Sequence, residues 1–180
     1  MKKRARFALY AIAAVLLLSA SGPNNSYAAD LTPEQTDLIK SNCLSIKGSL
    51  NQLHATDALL RVNRGQIYES MGTKLMASFN SRLSNNSLDN KGLVAVTTSY
   101  RSALATFRTD YQAYEQQIAA AIKIDCTKEP ASFHASLESA RIKRTIVRTD
   151  IVRMNQYIDD YRSAVNDFML NFERVTGQNS

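Results

Sequence analysis

In LHATDALLRVNRGQIYE, residues 53–69, Asp57 and Arg64 stand where a helical apolar repeat calls for core side chains. A carboxylate and a guanidinium in such places can act in two ways. They can pair across helices and fix register, or they can line a pocket for a polar ligand. Arg144 is the one charge on the apolar seam of a later helical region, and Tyr111 and Asp150 fall near the levels such pairing needs. These five residues form the candidate polar layer; His54, Arg61 and Glu115 join them in the pocket reading.

Other chemistry finds little support. A dimetal site in a helical bundle needs Glu-x-x-His pairs on two helices with further inward Glu residues. Here His54 precedes Asp57 by three and His134 precedes Glu138 by four, at levels that do not match. No Ser-His-Asp or Cys-His arrangement assembles once the cysteines pair, and NRGQ and SMGTK lack the spacing of a phosphate loop. The sequence therefore names no catalytic residue, no metal ligand and no cofactor. The basic run RIKRTIVRTDIVR, residues 141–153, reads as a solvated or salt-bridged helix face.

These residues must be positioned by long helices. Thr32, Pro33 and Gln35 form a helix start with a capping box. From there a 3.5-residue seam runs Ile39, Cys43, Ile46, Leu50, Leu53, Asp57, Leu60, Arg64, Ile67, Met71, then slips into Leu75, Phe79 and Leu83. SNNSLDNKG closes the helix by its turn-forming composition. A second seam runs Leu93, Thr97, Tyr100, Leu104, Phe107, Tyr111, Tyr114, Ile118, Ala121, and a third from Phe133 through Leu137, Ala140, Arg144, Val147, Ile151, Met154, Ile158, Tyr161, Val165 and Phe168 to Phe172. The expected fold is all-α: an elongated, antiparallel, coiled-coil-like three-helix bundle with helices over about 33–83, 91–125 and 131–174. A break at Asn63–Gly65, giving four helices, is the alternative.

Cys43 and Cys126 are expected to form a disulfide, and their midpoint falls within SNNS, the loop found independently from composition. The bridge would clasp helices one and two at the open end of their hairpin. Closing a loop of 83 residues would stabilise by about 4–5 kcal/mol on the chain-entropy model. The same register puts Asp57 beside Tyr111 and, with helix three parallel to helix one, opposite Arg144; Arg64 then lies within about a turn of Asp150.

Residues 1–28 have the layout of a secretory signal: Lys2, Lys3, Arg4 and Arg6, an apolar run from Phe7 to about Ala20, and small residues before a cut after Ala28. That run is short of the roughly 20 residues that span a bilayer; an uncleaved signal anchor is the alternative and the one route to a membrane. Removing the signal takes four of the 22 basic residues and none of the 16 acidic ones, so the net charge falls from +6 to +2. That balance argues against nucleic acid as a partner. Residues 29–176 make one domain and 177–180 a flexible tail.

The block TDALLRVNRGQIYE, with the placement of Cys43 and Cys126, resembles exported helical proteins of small-genome candidate-phylum bacteria that live attached to other microbes. The resemblance implies bacterial export and a periplasmic or cell-surface setting, and it carries no catalytic residues. Together these observations lead to an exported, non-enzymatic helical protein that presents a rigid face to another protein or an envelope polymer. A small-ligand carrier or sensor built on the polar layer is the second expectation, and a signal-anchored envelope protein the third. Partner and oligomeric state stay open.

Overall fold

Thr32 accepts a hydrogen bond from the Gln35 amide at 3.2 Å while the Gln35 side chain accepts from the Thr32 amide at 2.9 Å, and the first helix follows from Pro33. The structure is a computed structural model, and it describes residues 31–177. The expected signal over 1–28 and the last residues of the expected tail lie outside them. All elements among the described residues are helical: α1 (Pro33–Ser41), α2 (Cys43–Ser70), a π-helical stretch (Met71–Met76), α3 (Ala77–Asn85), α4 (Lys91–Lys123) and α5 (Pro130–Gly177). Gly177, placed in the tail by sequence, ends α5.

The single first helix expected over 33–83 is thus corrected to four successive stretches. Asn42 separates α1 from α2 with φ −102° and ψ 9°, yet its amide still bonds to Leu38 O at 3.1 Å and its carbonyl accepts from Ile46 N at 2.9 Å. No break occurs at Asn63–Gly65, which lies inside α2. The second interruption is the π stretch. Gly72, Met76 and Asn80 are all buried, at successive four-residue steps. In a regular α-helix two such steps would rotate the buried stripe by about 80°. The wider π turn absorbs that rotation, with the Ala77 amide bonding back to Gly72 O. Tyr161 Oη fastens the stretch by donating to Met76 O at 3.2 Å and Asn80 Oδ1 at 2.7 Å.

The core lies mainly between α4 and α5. All nine expected seam residues of α4 are buried, joined by Ala103. On α5 the seam is carried by Phe133, Ala140, Val147, Met154 and Tyr161, with half-buried Leu137, Ile151, Ile158, Val165 and Phe168 between them. Phe172, expected on that seam, is 45 % exposed. Across 28 residues α2 buries only Cys43 and Asp57. Besides Asp57, its Leu53, His54, Ala58 and Tyr68 are half-buried, while Leu60, Arg64 and Ile67 are exposed. A strict heptad drifts about 20° per seven residues on a straight helix, and over this length the drift turns the expected seam outward.

Cys43 and Cys126 are disulfide-bonded with Cα atoms 5.6 Å apart, joining the start of α2 to the chain just after α4. Phe133 packs on the bridge with Ile39, Ile46 and Ile124 around it. Lys47 Nζ donates to Ile124 O at 3.1 Å, a cation at the carbonyl end of α4. In the α4–α5 turn, Asp125 Oδ1 accepts from the Thr127 amide at 3.1 Å, and the Thr127 and Lys128 bonds hold the carboxyl down at about 2.

Candidate functional site

The polar layer is centred on Asp57. Arg144 approaches it with two donors, Nε to Oδ2 at 3.1 Å and Nη2 to Oδ1 at 3.2 Å. Tyr114 Oη donates to the same Oδ2 at 2.7 Å. The bond to Asp57 pushes the Arg144 guanidinium further above its ordinary value. Burial, followed by the bond to Asp57, pushes the Tyr114 phenol up. Both groups are therefore held as donors to the two Asp57 oxygens.

The layer differs from the sequence expectation in three places. Tyr111, expected to reach Asp57, instead leaves its buried hydroxyl without a hydrogen-bond partner. Burial, then Glu115 and Asp57, push that phenol up to about 12, and the Arg61 guanidinium sits 5.2 Å over the ring. One turn along α4, Tyr114 takes the bond. Arg64 is exposed and makes no ion pair with Asp150, because the drift of the heptad carries it off the buried face. Asp150 is buried elsewhere, between α4 and α5, beside Asp110 and 3.5 Å from Arg153. Burial and the Asp110 carboxyl raise its acid above the usual carboxylate range.

Because α2 touches α4 closely but stands off from α5, a cleft of about 610 Å³ opens between the three helices beside the Asp57 network. Arg61 and Arg64 on α2 form one wall, and Arg141, Arg144 and Arg148 on α5 the other. Tyr68, Phe107, Tyr111, Val147 and Ile151 supply an apolar floor. The cleft thus combines cationic donors with an apolar floor, the composition of a small-molecule site. His54 and Glu115 are not part of its lining. Among the described residues no three His, Cys, Asp or Glu side chains are grouped closely enough to hold a metal ion.

Phe107 and Tyr114 are buried in the core and Arg148 is exposed, as the sequence implies; what sequence reasoning missed is that all three also line the cleft. A signal was present. Arg61, Arg64 and Tyr68 on α2, and Arg141, Arg144 and Arg148 on α5, repeat the same three-then-four spacing, which sets each trio on one helix face. Compared with protein-family models, with curated proteins and with solved structures, the chain matches none.

Proposed function

We propose that this chain is an exported, non-enzymatic helical protein that binds a small ligand in the cleft between α2, α4 and α5. The observation that carries the reading is the juxtaposition of a 610 Å³ cavity, a hydrophobic floor and a carboxylate–guanidinium pair at its edge. Disulfide-bonded cysteines and the basic-then-apolar start of the chain support export to an oxidising compartment, periplasmic or cell-surface, as in the candidate-phylum bacterial proteins it resembles. No helix among the described residues is long and apolar enough to cross a membrane. In this reading α1, α2, the π stretch and α3 act as one arm, which with α4 and α5 makes an elongated three-armed antiparallel bundle.

Thr145 is exposed at the rim of the cleft, so Thr145→Trp should block the cleft without touching the core. A thermal-shift screen of metabolite-sized compounds should find ligands that raise the melting temperature of the wild type and lose that effect in Thr145→Trp. Ligands that act equally on both would place binding elsewhere.

A second reading has its own support: Met169, Leu170 and Phe172 are exposed near the end of α5, a surface for a protein or envelope-polymer partner. Light scattering with Met169→Ser/Leu170→Ser against wild type tests it, since loss of a native assembly in the variant would support an interface there.

A further inference from the structure

We infer that the cleft takes an amphipathic anion, its oxyanion head held between the guanidinium groups of Arg64 and Arg148 and its apolar body lying on Tyr68, Phe107 and Ile151. This rests on the reading of the cleft as a ligand site and specifies what enters it. Its lining carries five arginines against one carboxylate, Asp57. Three of the five are already engaged: Arg144 with Asp57, Arg141 with Glu138, and Arg61 over the Tyr111 ring.

Arg64 and Arg148 make no ion pair with a carboxylate among the described residues, and they stand on opposite walls. A guanidinium presents a planar fork of donors that matches the oxygens of a phosphate or carboxylate. Two such forks facing one apolar floor select a ligand with both characters. A neutral apolar ligand would cover the guanidinium groups without pairing them, at a desolvation cost. An inorganic anion would leave the aromatic floor wet and gain nothing from it. The mature domain is close to charge balance, with 18 basic and 16 acidic residues, so the cationic character of the cleft is local. That suits a compact head better than a polyanionic chain.

The same head chemistry occurs on a free alkyl phosphate and on the headgroup of an anionic lipid, and the test separates the two. Isothermal titration of the mature protein uses octyl phosphate, inorganic phosphate and neutral octyl glucoside. Co-sedimentation uses vesicles of phosphatidic acid in phosphatidylcholine and of phosphatidylcholine alone. Octyl phosphate is expected to bind at least about tenfold more tightly than either other soluble probe. Arg64→Gln and Arg148→Gln are both at exposed positions, and each should weaken octyl phosphate by about tenfold while leaving octyl glucoside unchanged. Capture by phosphatidic acid vesicles that both variants abolish identifies the lipid headgroup as the source; binding of octyl phosphate alone identifies the free amphiphile. Either result supports the assignment. Equal affinity for octyl glucoside and octyl phosphate, both blocked by Thr145→Trp and neither moved by the arginine variants, would overturn the anion assignment while the cleft stands. Binding of no probe, or binding indifferent to Thr145→Trp, would remove the cleft itself.

Discussion

Asp57 of α2 and Arg144 of α5, 87 residues apart in sequence, meet through two hydrogen bonds of 3.1 and 3.2 Å. The carboxylate is nearly enclosed, with 11 % of its side chain exposed, whereas the guanidinium is 54 % exposed. The pair therefore lies between a buried ion pair, where losing one partner costs about 3–5 kcal/mol, and a surface one near zero. Asp57→Ala is expected to cost about 1–3 kcal/mol in urea denaturation, since it strands Tyr114 Oη as well. Arg144→Met should cost more than Asp57→Ala, because it leaves a nearly enclosed carboxylate without its cation, whereas the guanidinium left by Asp57→Ala is open to water. A smaller cost for Arg144→Met would contradict the asymmetry.

Two tyrosines on one helix face give opposite expectations. Tyr114→Phe removes a bond to a carboxylate and should destabilise by about 1.5–3 kcal/mol. Tyr111→Phe removes a buried hydroxyl that has no partner and should be neutral or stabilising by up to about 1 kcal/mol. Paired denaturant midpoints decide the matter, and a large loss in Tyr111→Phe would show that its hydroxyl is satisfied.

Glycines in the first helical stretches separate in the same way. A Cβ at Gly72 would stand 3.1 Å from Tyr100 Cε1, while one at Gly48 or Gly65 meets nothing within 4 Å. Tyr100 is fully buried and its hydroxyl is tied to Tyr68 O at 2.8 Å, so it has little room to yield. Gly65→Ala should stabilise by about 1 kcal/mol through helix propensity. Gly72→Ala should destabilise, and a gain in melting temperature there would contradict the packing of the π stretch.

Asp150 supplies the pH prediction. Its acid is raised in the folded chain by burial and by Asp110, so the neutral form is favoured on folding. That contribution is fully present below the ordinary carboxylate value near 3.8 and is lost as pH rises through the folded value. Asp150→Asn keeps the neutral form at every pH. It should raise the melting temperature at pH 7 and have little effect near pH 3. The opposite pattern, a loss at neutral pH, would mean that Arg153 dominates the site.

Much of this fold is legible in the sequence because α4 is buried on one continuous stripe. Its seam from Leu93 to Ala121 keeps phase, and every residue on it lies inside. The cysteines are legible for a related reason, since one turn fixes the level of both. The first arm reads less well. It is packed on one side by α4 and barely by α5, so its apolar residues Leu59, Leu60 and Val62 are exposed and the pattern loses its meaning there. On α4 a single turn is enough to give the Asp57 bond to Tyr114 in place of Tyr111. The cleft depends on how far α2 stands from α5, a distance that no periodicity encodes.

The arginine side chains report most directly on the cleft. Nitrogen–proton correlation spectra of Arg Nε groups, recorded while octyl phosphate is added to the protein, follow each guanidinium separately. The expected result is saturable shifts at Arg64 and Arg148 with one common affinity, matched by ring shifts of Phe107 and absent from Arg174 at the end of α5. Shifts of similar size at every exposed arginine, or none at Arg64 and Arg148, would contradict a binding cleft between α2 and α5.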